Sequence, residues 1–494
     1  MVQSLYLKSM CLLLSIILLY LIFIPYSEAA ALDTLALKED LDELIIHHSD
    51  INHGKIGVSV RSFQTGELLY EQNVNQLLTP ASNMKILTSI AALELLGPNY
   101  HFTTELLIDG NTRWQLLKGN VYIKGKGDAT LLPTDIEKLV SELKQQGIKY
   151  IFGDIVADDS WFDSIRHPID MPWSDEMYGY GAPISALTVA PKKNVEGGTI
   201  IIEIMPNEQI GQPAVIKTVP DTEYVEVINE SITVTDSERN NISIKKKHGT
   251  NQIYINGHIN QTEKKIEKLM SVWEPTNYVL HLFSEYLKKE EIRHLGNVTL
   301  GDTPKEAKLF TVHHSSPLSE LLFPFMKYSD NVLGESITKE MGKFKYGDGS
   351  WECGLRALQE ALAHYDMKTE NTIIRDGSGI SHVNAISTND ITKLLYEIKK
   401  EHWFPLFKSS LPISGHDSKY LGGTLKDRFT NSRMKGKVKA KTGTLTSVSS
   451  LSGYLETKGE ESIIFSIITN DITNSKKAKM IEEEITMVIA DYLN

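Results

Sequence analysis

Cysteine is scarce: 494 residues hold two. Cys11 sits in an apolar N-terminal stretch, which leaves Cys353 alone in the rest of the chain and excludes an internal disulfide there. Such a chain must be held by apolar cores, and its length predicts two or three domains. Basic charge is also short, with 51 Lys and Arg against 63 Asp and Glu, for a formal net charge of -12. Nucleic acid is therefore not an expected partner, because phosphate binding needs lysine and arginine gathered on one face. The run Lys245 to Lys247 comes nearest to such a face and reads as a solvated strand end or loop. Metal and phosphate signatures are missing as well: there is no His-Glu-x-x-His, no paired Cys-x-x-Cys and no Walker loop. The pairs His47-His48 and His313-His314 would point to opposite faces of a strand, so they read as surface histidines. Neither a metal nor a cofactor is expected.

The N-terminus reads differently. Lys8 precedes "MCLLLSIILLYLIFIP", and "YSEAAALD" then supplies small residues where a signal peptidase would cut. The sequence predicts an exported protein, secreted, periplasmic or wall-associated, with a signal peptide over 1–29 cleaved after Ala29 or Ala31. A retained anchor is the alternative, because the run is near the short limit for crossing a bilayer.

Hydrophobic periodicity organises the remainder. "LALKEDLDELIIHH" places Leu37, Leu41, Leu44 and Ile45 on one helical face, and "KIGVSVRSFQTGELLYEQN" follows as two strands about a Thr65-Gly66 turn. At the far end "VKAKTGTLTS", "SLSGYLE" and "SIIFSIITN" read as strands, with a turn at 457–461. A closing helix carries Ile481, Ile485, Val488, Ile489 and Tyr492 at helical spacing. The two ends are expected to join into one antiparallel sheet flanked by helices, with both terminal helices on one face. The fold class is thus α/β in composition, of the α+β kind. Residues 30–99 and 300–494 would form one domain. Residues 100–299, rich in short alternating runs such as "GTIIIEIMP" and "QIYINGHIN", would form a large, mostly β insertion.

Three short motifs carry chemistry. Ser-x-x-Lys occurs five times, and the copy at Ser82 differs by its surroundings. Pro80-Ala81 breaks the preceding strand, and an apolar helix ended by Gly97-Pro98 follows. Ser82 would sit in the first turn, near unpaired N–H groups and the positive end of the helix dipole, with Lys85 on the same face. A lysine acts as a base only when neutral, which burial and a second nearby cation would favour. Taken alone, the motif more often describes a simple helix cap and a surface charge. "KYSDNVLGE" then supplies Ser329-Asp330-Asn331 at the start of a helical region. "VKAKTGTL" supplies Lys441-Thr442-Gly443-Thr444 on a strand.

Found in that order, the trio resembles the signature of penicillin-binding proteins and serine β-lactamases. The long stretch between Lys85 and Ser329 resembles the insertion of the class C low-molecular-mass penicillin-binding proteins, the D-alanyl-D-alanine carboxypeptidase/endopeptidase family. "GKGDATL", "ADDSWFD", "YGAPISALTV", "DGSGIS" and "LSGYLE" are similar to that family too. The resemblance implies a penicillin-recognising, transpeptidase/β-lactamase-like domain. It also implies peptidoglycan stem peptides as substrate and β-lactams as covalent inhibitors, and leaves the oligomeric state open.

The same resemblance implies the roles. Ser82 attacks the carbonyl of the penultimate D-alanine and Lys85 takes its proton. Ser329 relays a proton to the leaving amine. Asn331 bonds the substrate backbone and helps hold Lys85. Lys441 faces the substrate carboxylate, with the hydroxyls of Thr442 and Thr444, and Gly443 lets the substrate lie against the strand. The N–H groups of Ser82 and Thr444 form the oxyanion hole, each donor contributing about 3 kcal/mol. Asp158 matches an acid of the insertion that in some relatives receives a peptide amino group, although an exposed loop acid would look the same. "DGSGIS" is either a glycine-rich turn or part of the cleft wall. Two other readings compete: a serine β-lactamase, for which the Glu-x-x-Leu-Asn element of class A members is missing, and a non-catalytic wall-binding scaffold, which would be expected to have lost one of the three motifs.

Overall fold

The computed structural model describes residues 34–51, 54–237, 239–456 and 462–492. The expected leader and the turn at 457–461 lie outside the described residues. No helix among those described is long and apolar enough to cross a membrane.

The two ends of the chain do meet in one sheet. Its order is Val438–Leu445, Val448–Glu456, Ser462–Asn470, Lys55–Ser62, Leu68–Gln72, and every pair is antiparallel. Both faces are covered, which explains why "SIIFSIITN" is nearly continuously apolar. Ile463, Phe465 and Ile467 point to one side, against Leu37, Leu41 and Ile45 of the helix over 34–47 and Ile481, Ile485 and Ile489 of the helix Ser475–Asp491. Ile464 and Ile468 point to the other, joining Tyr454 with Ile86, Leu87 and Ile90 of the helix Met84–Leu95 and Leu394 of the helix Thr388–Glu397. A strand period of two thus feeds two separate cores. The second also receives the helices Asn331–Tyr346 and Trp351–Ala363, each capped by a side chain: Asp330 accepts from Leu333 N, and Ser350 from Cys353 N.

Most of the inserted region gathers around a third core. One five-stranded sheet runs Val298–Leu300, Ile155–Asp158, Val121–Lys126, Thr103–Ile108, Lys308–His314. Because Lys308–His314 pairs with Thr103–Ile108, the sheet continues past the expected limit at 299. Two helices, Pro133–Gln145 and Pro275–Lys289, stand among its strands. The lysine run divides: Lys245 and Lys247 are exposed, but Lys246 is half-buried and its Nζ donates to the Ser271 carbonyl (3.0 Å) and Oγ (2.8 Å). Burial lowers its pKa to about 8. His313 is not a free surface residue either. Burial opposes its charge, yet Asp128, 3.6 Å away, leaves its pKa raised.

Candidate active site

Pro80 cannot continue a strand ladder, and the chain turns there into a short 3-10 segment, Ala81–Asn83, followed directly by the helix Met84–Leu95. Ser82 therefore lies just ahead of the helix rather than in its first turn. Asn470 holds the approach, its amide accepting from Thr79 N (2.8 Å) and donating to Thr79 O (3.1 Å). Ala81 adopts φ 47°, a left-handed conformation that a side chain disfavours. Two glycines surround that strained residue. A Cβ on Gly379, itself at φ 86°, would fall 1.9 Å from Ala81 O. One on Gly443 would fall 2.8 Å from Pro80 O, 2.9 Å from Ser82 N and 2.2 Å from Ser450 Oγ. Gly443 thus makes room for the backbone of the nucleophile turn.

Serines of "SLSGYLE" support the same turn. Ser450 Oγ donates to Pro80 O (2.6 Å), and Asn83 Nδ2 donates to Ser452 Oγ (2.7 Å), which is paired with Ser466 Oγ (2.7 Å). Nothing in the sequence marked these hydroxyls except their place on a strand that is otherwise apolar.

Lys85 is fully buried. Its Nζ lies 3.1 Å from Ser82 Oγ, 2.7 Å from Asn331 Oδ1 and 2.7 Å from Ser378 O. Burial lowers its pKa to about 8 against the opposing pull of Glu335, Asp376 and Asp330. The loop "DGSGIS" is therefore more than a turn, since one of its carbonyls holds the lysine. That loop is fixed in turn from below. Glu335 accepts from Gly377 N (3.1 Å) and Ser378 N (2.7 Å), and Asp376 from Gly379 N (2.7 Å) and Ser381 N (2.6 Å). Burial, with Glu335 nearby, raises the Asp376 pKa to about 7.

Ser329 stands between the π-helical turn Pro324–Tyr328 and the helix Asn331–Tyr346, also left-handed at φ 64°. Its Oγ accepts from Lys441 Nζ at 2.9 Å. Lys441 is completely buried, also donates to Thr442 O (2.7 Å), and has its pKa lowered well below normal by burial and by the charge of Lys85. It reaches the cleft through the Ser329 hydroxyl. Of the two threonines on this strand, Thr444 borders the cleft while Thr442 Oγ1 is paired with Thr424 Oγ1 (2.7 Å). Asn331 spends both ends of its amide, the second donating to Tyr180 O at 3.0 Å.

Ser82, Ser329, Asn331 and Thr444 line one cleft of about 670 Å³. The inserted region supplies Asp175, Tyr180 and Glu196 to its wall. Asp158 is not among them. Its side chain is wholly buried, with Oδ2 accepting from Lys124 Nζ and Thr303 N (both 2.8 Å) and Oδ1 from Ser160 N (3.0 Å) and Oγ (2.6 Å). Burial would raise its pKa, but these bonds hold it at about 2. The inserted acids that face the cleft are Asp175, which accepts from Tyr180 Oη at 3.3 Å, and Glu196.

The chain is similar to known proteins along most of its length. A family model described as D-Ala-D-Ala carboxypeptidase 3 (S13) matches residues 37–492. A D-alanyl-D-alanine carboxypeptidase of Actinomadura sp. (strain R39) is 34% identical over 470 residues, 94% of this chain and 86% of the relative. The carboxypeptidase DacB of Haemophilus influenzae is 26% identical over 440 residues, 87% of this chain and 89% of its own length. The crystal structure of penicillin binding protein 4 from that species shares the fold at TM-score 0.78 and 24% identity, covering 92% of this chain and 99% of the other. A further structure of it, complexed with a β-lactam, gives 0.73 at the same identity and coverage. The chain belongs to the D-Ala-D-Ala carboxypeptidase 3 (S13) family.

Proposed function

We propose that this protein is a serine peptidase that hydrolyses D-alanyl-D-alanine bonds of peptidoglycan stem peptides, releasing terminal D-alanine and also opening cross-links. The observation that carries the reading is the buried Lys85 amine 3.1 Å from Ser82 Oγ, with its pKa depressed to about 8. Neutral Lys85 takes the Ser82 proton as Oγ attacks the penultimate carbonyl, and backbone N–H groups of Ser82 and Thr444 receive the oxyanion. The leaving amine gains its proton by way of Ser329, whose hydroxyl links the cleft to Lys441. Water then cleaves the acyl ester. Asn331 supports this cycle by holding Lys85 (2.7 Å) and by tying the site to Tyr180 of the inserted region. Asp175, at the cleft wall, is the acid suited to a basic group on the stem peptide. A β-lactam would acylate Ser82 in the same way.

Such a substrate lies outside the cytoplasm, and export through the 1–29 leader belongs to the same proposal. Mass spectrometry of purified peptidoglycan fragments tests it. Loss of one alanine mass from pentapeptides and conversion of dimers to monomers are expected. Unchanged D-alanine release by Ser82→Ala overturns the nucleophile.

A further inference from the structure

A second groove, of about 460 Å³, adjoins the catalytic cleft and shares Glu196 and Tyr328 with it. Its walls carry Lys192, Lys193, Asn194, Lys419 and Thr424. Thr424 Oγ1 is bonded to Thr442 Oγ1, next to Lys441, and Tyr328 precedes Ser329. The groove therefore leaves the cleft on the Ser329 side, where the departing amine gains its proton. Its cations are available. Lys193 and Lys419 are exposed and have no carboxylate partner among the described residues. Lys192 touches Glu267 at only 3.5 Å, and Glu267 has Lys265 at 2.8 Å. A fourth lysine in the wall, Lys327, is different: its Nζ is turned inward to Leu411 O (2.5 Å). The one carboxyl in the groove is Glu196, whose pKa is raised by burial. Three exposed ammonium groups beside the leaving-group side stand out in a chain of net charge -12.

We infer that this groove receives the leaving strand of a cross-linked substrate, a second stem peptide bearing free carboxylates, and that Lys192, Lys193 and Lys419 are specificity residues for cross-link cleavage. The inference rests on the peptidase reading. A free D-alanine departs from the cleft alone and needs none of the groove, whereas the second strand of a dimer must continue past Ser329. An overall negative molecule repels an anionic peptide unless cations line its path. Each exposed lysine-carboxylate pair contributes up to about 1 kcal/mol, or roughly fivefold in affinity, and is screened by salt.

The test compares the full exported protein with Lys193→Glu/Lys419→Glu on two purified substrates, a cross-linked disaccharide-peptide dimer and an uncross-linked pentapeptide ending in D-Ala-D-Ala. The expected result is a fall in kcat/KM for the dimer of roughly tenfold or more, carried by KM, relative to that for the pentapeptide. For the unsubstituted protein, raising salt should slow dimer cleavage more than D-alanine release. Equal effects on both substrates, or none, overturn the groove assignment, as does an unsubstituted protein that trims pentapeptides but leaves dimers intact. Failure on both substrates by the unsubstituted protein overturns the peptidase reading instead.

Discussion

Gly443 supports Ser82 from beneath: a Cβ there would stand 2.9 Å from the Ser82 nitrogen and 2.8 Å from the Pro80 carbonyl oxygen. Both neighbours are backbone, so neither can rotate aside. Gly443→Ala is expected to push the nucleophile turn outward and lower the rate of Ser82 acylation by benzylpenicillin about 100-fold. Overpacking should also cost about 1–3 kcal/mol in a thermal melt. The double variant Gly443→Ala/Ser450→Ala removes the 2.2 Å clash with Ser450 Oγ and should stay slow. Restored acylation would mean that the serine, not the turn, is what the glycine accommodates.

Acylation should depend on pH through Lys85. Its folded pKa of about 8 lies below the ordinary lysine value, so the active, neutral amine is scarce below pH 8 and dominant above it. The acylation rate is expected to rise roughly tenfold from about pH 7 to about pH 9, as the neutral fraction does for such a pKa. Stopped-flow acylation across that range checks it, and a flat profile would remove Lys85 as the base.

Asn331 offers a way to move that profile. Its Oδ1 lies 2.7 Å from Lys85 Nζ, so Asn331→Asp would set a carboxylate against the ammonium and favour the charged lysine. The midpoint should shift upward by about 1–3 units, with slower acylation at neutral pH. A downward shift would contradict the contact.

The two inserted acids should separate by phenotype. Asp158→Asn breaks a buried pair with Lys124 and should lower stability by about 3 kcal/mol while leaving substrate preference alone. Asp175→Asn should barely change the melt, yet raise KM for stem peptides with a free amino group at the third residue and leave KM for an acetylated peptide unchanged. Melting curves paired with steady-state kinetics on the two peptides decide it.

These acids also show where reading the sequence stopped. Ser82, Lys85, Ser329 and Lys441 were legible because each sits in a short motif on an element whose periodicity is plain. The terminal strands were legible for the same reason, since alternation along "SIIFSIITN" and "KIGVSVRS" reports two covered faces. Asp158 and Asp175 look alike in the chain, as short acids beside Asp159 and Glu176. Only burial, set by Lys124 and Thr303, tells them apart. The contact of Tyr180 with Asn331 joins residues 151 apart and has no local signal at all. The lysine run does end a strand with Lys245 and Lys247 exposed, but strand alternation, which a charge run hides, turns its middle member Lys246 inward to Ser271.

The central sheet is stitched from both extremities of the polypeptide, and Val438–Leu445 forms its border beside Ser82. A nascent chain halted before that border holds the attacking hydroxyl and its amine but lacks the platform beneath them and the second lysine. The site is therefore incomplete until the chain extends through Val438–Leu445, the strand that brings Lys441 to Ser329 and Gly443 to the Ser82 turn.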